Sequence, residues 1–167
     1  MLLTLRTTRT PATDLASFLG KDPGRVEPLE LPAGRAWVFF PEADETACMA
    51  ALLLDVEAPG EGPSDRPYVA SPLLADAVAR LIPPEPLPLE IPVEVKIAAL
   101  PFPGGEAALQ RLLAPLGGSL KTEGHPLDPE RPDLGPSPYF SVTLRTAGRL
   151  RDLLEQISAV LREVSAG

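Results

Sequence analysis

Tyr139-Phe140-Ser141-Val142-Thr143-Leu144-Arg145 sets Tyr139, Ser141 and Thr143 against Phe140, Val142 and Leu144, and shortly after it Leu150, Leu153, Leu154, Ile157, Leu161 and Val164 recur at helical spacing. A period of two sends alternate side chains to opposite faces of a strand, whereas a period near 3.6 gathers them on one face of a helix. The chain therefore passes from a half-buried strand into an amphipathic helix. A strand with one wet face needs a sheet, and a helix with one apolar face needs a surface to lie on. The stretch predicts an α+β fold, with a mixed sheet or sheets and flanking helices.

Upstream, Pro126 to Pro138 is a proline-rich loop and Ser119 to Pro126 an extended segment. Leu109, Leu112, Leu113 and Leu116 mark a helix between the turn Pro103-Gly104-Gly105 and the stop Gly117-Gly118, and Val93 to Leu100 reads as a strand. Prolines crowd residues 83–92, which break helix and suit an extended connector. This connector divides residues 1–167, read as one domain, into halves of about 1–82 and 93–167.

In the first half Leu2 to Thr7 is a strand, and Leu15, Phe18 and Leu19 line a brief helix ended by Gly20. Val26–Leu31 and Ala36–Phe40 read as a hairpin about Pro32-Ala33-Gly34. Cys48 to Val56 is ambiguous on periodicity, but its continuous apolar character and bounded length suit a strand buried on both faces slightly better than a helix. Ser71 and Pro72 suit the start of a helix running to about Ile82. Residues 2–40 and 93–144 share the order strand, turn, helix, glycine stop, strand, loop, aromatic strand. Two similar strand-helix-strand-strand halves are the expectation, with duplication or the ordinary layout of an α+β chain as its origin.

Composition narrows the function. With 47 Leu, Ile, Val and Phe among 167 residues the chain can build a core. Its longest apolar run, Cys48 to Leu54, is far short of the roughly 18 residues needed to cross a bilayer. A soluble, cytoplasmic protein without membrane contact is expected. A net charge of −8 disfavours broad contact with a phosphate backbone. One cysteine, Cys48, and one histidine, His125, exclude an internal disulfide and a Cys/His zinc set. The absence of Asn and the excess of twelve Arg over three Lys fit either a heat-adapted source or a codon bias.

Chemistry-bearing motifs are few. His125 lies in Gly124-His125-Pro126, read as a turn rather than the wall of a cleft. No G-x-S-x-G elbow is present, and Gly104-Gly105 lacks a nucleotide-loop signature. The seven acids between Glu42 and Asp65, with no base among them, read as a solvated surface rather than a metal site. Two clusters suit contact with a macromolecule. Asp65, Arg66 and Tyr68 form a polar corner before Ser71, and Arg145, Arg149 and Arg151 form a local basic group. Each has a plainer alternative, a corner staple and a solvated helix face.

Several segments taken together resemble a known family. They are Ser64-Asp65-Arg66-Pro67-Tyr68-Val69-Ala70-Ser71, Pro103-Gly104-Gly105-Glu106-Ala107, Tyr139-Phe140-Ser141-Val142-Thr143-Leu144 and Arg149-Leu150-Arg151-Asp152-Leu153-Leu154, supported by Leu2-Leu3-Thr4-Leu5 and Ala51-Leu52-Leu53-Leu54-Asp55-Val56. In order, and over nearly the whole chain, they are similar to the N-terminal domain of the bacterial 3′-terminal RNA ribose 2′-O-methyltransferase of RNA repair. The resemblance implies a non-catalytic protein-interaction domain. Its implied partner is the RNA ligase domain of a polynucleotide kinase–phosphatase–ligase, which it binds and activates, touching RNA only indirectly. In that family a separate methyltransferase domain carries the S-adenosylmethionine chemistry, and that domain is expected to be absent here. This chain is then expected to be no enzyme and to hold no cofactor or metal. The loop before Asp65 and the 83–92 connector look shorter than the family's usual form. The expected contact residues are Asp65, Arg66, Tyr68, Arg149 and Arg151. The alternatives are a methyltransferase whose catalytic half lies elsewhere and a homo-oligomeric structural domain, with a homodimer as the simplest assembly.

Overall fold

The computed structural model describes residues 1–55, 67–83 and 90–166, and the backbone alone at 67–69 and 165–166. The element order is β1 (Leu2–Thr7), α1 (Asp14–Phe18), β2 (Glu27–Leu31), β3 (Gly34–Ala43), β4 (Cys48–Asp55), α2 (Pro67–Ala79), β5 (Glu90–Pro101), α3 (Glu106–Leu113), β6 (Ser119–Pro126), β7 (Pro136–Arg149) and α4 (Leu150–Ala166). The strands form one sheet of order β2-β3-β4-β1-β5-β7-β6. Every pairing is antiparallel, so the α+β class holds and the sheet is antiparallel rather than mixed. Short hairpin connections join β2 to β3 and β3 to β4, whereas β1–β4, β1–β5 and β5–β7 pair strands far apart in sequence.

Alternation decides which face is dry. Leu3, Leu5, Ala50, Leu52, Val95, Ile97, Val142 and Leu144 are buried, and they join Leu15 of α1, Leu74 of α2, Leu109 of α3 and Leu154 of α4 in one core cluster. All four helices thus press on the same side of the sheet. α2 and α4 also lie against each other. Ser158 Oγ donates to the Ala75 carbonyl at 3.0 Å, and Arg162 pairs with Asp76 at 3.1 Å. Ala75 is fully buried at this contact, where its small side chain lets the helices approach closely.

Around the central β1–β5 pair the two halves follow a common plan. β4 flanks β1 as β7 flanks β5, β3 and β6 lie next outward, and α2 and α4 follow β4 and β7. The expected match of residues 2–40 with 93–144 is therefore shifted by one strand. β7 corresponds to β4, and the extra element in the first half is the edge strand β2. Aromatic content suggested the wrong partner because Trp37, Phe39 and Phe40 on β3 mimic Tyr139 and Phe140 on β7.

Three further expectations are corrected. α2 begins at Pro67 rather than Ser71 and carries Pro72 inside it. Ser71 is buried instead of capping the helix, and its Oγ has no hydrogen-bond partner among the described residues. β5 starts at Glu90, so the last three residues of the expected connector belong to a strand, while residues 84–89 lie outside the described residues. β4 is not buried on both faces, because Leu53 is 41% exposed. Among the described residues no helix is long and apolar enough to cross a membrane.

The turn into β6 offers a test of this packing. Gly117 and Gly118 both have φ near +70° (69° and 73°), but a Cβ at Gly117 meets nothing within 4 Å, whereas one at Gly118 would strike the Arg145 carbonyl. Gly117→Ala should cost about 2 kcal/mol of stability from backbone strain alone, because φ 69° with ψ −174° is a region that almost only glycine adopts. Gly118→Ala, which adds overpacking, should cost roughly 3 kcal/mol in urea unfolding.

Candidate interaction surface

The outer face of the sheet is read from register. On it Pro28 of β2, Trp37 of β3, Leu53 of β4, Leu2 of β1 and Ala98 of β5 stand in cross-strand succession. Five neighbouring strands each contribute an apolar residue to one row. Cross-strand neighbours on one face lie close enough to form a continuous surface, and no helix among the described residues packs on it. Phe39 adjoins the row, opposite Ala51. Leu53 at 41% exposure is the most open of the row's large side chains, and contiguous apolar surface outside a core is a feature of docking sites.

Charged groups border the row on both sides. On one side Arg35, opposite Asp55, pairs with Glu30 at 2.8 Å and stands over the Trp37 ring, 5.6 Å from its centroid. This cation–π contact orients the indole. On the other side runs an ion-pair ladder. Arg6 Nε donates to Glu42 Oε2 at 2.8 Å, Arg145 Nε to Glu94 Oε2 at 2.7 Å, and Lys96 Nζ lies 3.0 Å from Glu94 Oε1. Arg6 is opposite Glu94, so the ladder crosses from β3 to β7 through both central strands. Hydrogen bonding from Lys96, and then from Arg145, holds the Glu94 carboxyl below its ordinary range. Glu42, expected to be part of a solvated acidic loop, is instead tied to Arg6 at the end of β3.

The expected contact residues are distributed differently from the sequence picture. Asp65 and Arg66 lie outside the described residues, and Tyr68 falls within α2 at a position where only the backbone is described. Arg149 is exposed at the end of β7, opposite Glu90. Arg151, on the first turn of α4, bonds Glu155 at 2.9 Å and reaches the Pro83 carbonyl at 3.3 Å. It ties α4 to the segment that follows α2. Arg145 is held by Glu94, so the three arginines do not form one basic cluster.

His125 is corrected as well. It is the penultimate residue of β6 and lines a cleft of about 810 Å³, with its Nε2 2.8 Å from Ser141 Oγ. A serine–histidine pair becomes a nucleophile only with an orienting group and oxyanion donors. Among the described residues no carboxylate is hydrogen-bonded to the ring. Nor do three or more His, Cys, Asp or Glu side chains converge as a metal site would require.

Trp37, Phe39, Leu53 and Leu2 were not singled out from the sequence. Only Leu53 carried a signal, as the residue of the continuous apolar run Cys48–Leu54 that breaks the alternation expected of a strand with one solvated face.

An open-faced α+β sheet with an apolar row between charged borders is the kind of surface that protein-interaction modules present. Family comparison makes this specific. Residues 1–165 match the family described as "RNA repair, ligase-Pnkp-associating, region of Hen1", and the chain belongs to that family. Among solved structures, a chain of the Pnkp1/Rnl/Hen1 RNA repair complex is similar with a TM-score of 0.56 and 12% identity over 99% of this chain. A chain of another Pnkp1/Rnl/Hen1 complex structure gives a TM-score of 0.53 and 11% identity over 97% of this chain. At these identities the likeness establishes a shared fold. The chain spans 42% and 41% of the length of those two relatives. No curated protein sequence matches it significantly.

Glu94 gives the surface a pH signature. Because its folded-state value is lowered, the stability it contributes is complete above the ordinary Glu range of about 4.3 and is lost as pH falls through the lowered value. Glu94→Gln should cost about 1 kcal/mol at neutral pH. Unfolding curves of the variant and the parent should converge on acidification.

Proposed function

We propose that this chain is the ligase-associating domain of an RNA-repair assembly. It binds the RNA ligase of a polynucleotide kinase–phosphatase–ligase in the cytoplasm and holds that ligase in its active conformation, without chemistry of its own. The family match over residues 1–165 is the observation that carries the reading. The exposed apolar row supports it, because a row spanning five strands needs a partner to remove it from water. An activator works by binding the active state more tightly than the inactive one, so a surface with a fixed register suits the role.

Charge on the outer face favours protein over RNA. Arg6, Arg35, Lys96 and Arg145 are each paired with a carboxylate, which leaves few cations to displace counterions from phosphates.

The test is to mix the purified chain with its host's kinase–phosphatase–ligase, measure association by gel filtration, and follow ligase adenylylation. Both complex formation and faster adenylylation are expected. Leu53→Glu should weaken association by about thirtyfold or more, the effect of losing an interface anchor worth ~2 kcal/mol. Its circular dichroism should be unchanged, since Leu53 is exposed in the free chain. A ligase whose rate and elution are indifferent to the chain contradicts the proposal.

A further inference from the structure

At the opposite end of the sheet from Trp37, the roughly 810 Å³ cleft beside His125 is built from parts that the sheet-face reading does not use. Phe102 and Phe140, each 7% exposed, lie among its lining residues. Two glycines let the rings pack directly against the backbone. A Cβ at Gly104 would come within 2.7 Å of Phe102 Cε1, and one at Gly124 within 3.3 Å of Phe140 Cε1. Pro103, Pro126, Pro132, Pro136 and Pro138 supply the walls. Five fixed φ angles form the cleft in advance, which lowers the ordering cost of filling it. The Phe102 N–H, bonded to the Pro138 carbonyl at 2.7 Å, ties the two sides together.

Two leucines of the same loop face water, Leu127 at 57% and Leu134 at 48% exposure. They give the cleft surroundings an apolar character that a solvated loop has no reason to carry. The adjoining loop carries an excess of acids. On that loop Asp128 and Glu130 make no ion pair among the described residues, and Glu106, which accepts a hydrogen bond from Thr122 Oγ1 at 2.7 Å, lines the wall. Arg131 of the same loop is matched by Asp133 at 3.0 Å. An apolar hollow with an acidic surround complements an apolar side chain carried between cations, and it repels a phosphate backbone.

We propose that this cleft is a second docking site, which takes a peptide segment bearing an apolar or aromatic side chain flanked by Lys or Arg. The side chain enters the cleft beside the rims of Phe102 and Phe140, its neighbours approach Asp128, Glu130 and Glu106, and the Leu127 and Leu134 side chains are covered. The site is independent of the sheet face, so it stands or falls separately from the ligase-docking proposal.

Isotope-labelled full chain, titrated with a short synthetic peptide carrying Phe-Leu between paired lysines, tests the idea by amide shift mapping. Saturable shifts at Gly124, His125 and Gly135 are expected, weakening several-fold as salt is raised. A control peptide with glutamates in place of the lysines should bind at least about tenfold less tightly. The Leu127→Ser/Leu134→Ser double variant alters only exposed side chains, so it should keep a dispersed spectrum while losing about tenfold in affinity. Shifts centred elsewhere, equal binding of the glutamate peptide, no saturation at millimolar peptide, or preferential binding of a labelled oligouridylate at these amides would each overturn the proposal.

Discussion

The antiparallel pairing of β1 with β5 is the interaction on which both faces of the molecule depend. Its register places Leu3 opposite Ile97 and Leu5 opposite Val95 on the helix side, where all four are buried. The same register places Leu2 opposite Ala98 and Arg6 opposite Glu94 on the outer side. A slip of one residue would exchange the two sets, exposing the core leucines and burying Arg6 and Glu94 without partners. Core stability and surface pattern are therefore enforced together. The first half alone could not complete either, because the apolar row and the ion-pair ladder both run from β1 into β5.

Placing every helix on one side has a direct consequence for function. The buried sides of the four helices share one core, and none among the described residues covers the outer face. That face then combines an apolar row with ion pairs that neutralise most of its cations. Such a surface is poorly suited to phosphate contact and well suited to another protein, where desolvated apolar anchors supply affinity and bordering charges set orientation. Membership of the ligase-Pnkp-associating family agrees with this division of labour.

Much of the architecture was legible because its signals are local. The period of two in Tyr139–Arg145 and the leucine spacing from Leu150 to Val164 appear as β7 and α4, and Leu109, Leu113 and Leu116 are buried as their spacing required. The start of α2 was misplaced because Ser71-Pro72 imitates a helix start, while the structure begins the helix at Pro67. The interaction surface was the least legible part. Pro28, Trp37, Leu53, Leu2 and Ala98 are scattered through the chain, and only strand pairing brings them into one row. The arginine cluster read from residues 145–151 illustrates the converse. Nearness in sequence did not survive the passage from β7 into α4, which sends Arg151 toward Pro83 and leaves Arg145 with Glu94.

The central claim is that the outer face of the sheet is where the partner sits, and side-chain oxidation tests it most directly. Trp37 and Met49 on that face are oxidisable, and both are only partly buried in the free chain. Hydroxyl-radical footprinting of the free chain and of its complex with the ligase would compare their modification rates. Protection of Trp37 and Met49 in the complex, with Arg111 and Arg162 on the exposed sides of α3 and α4 unchanged, is the predicted result. Unaltered oxidation of Trp37 and Met49 in a complex that has formed would contradict the account.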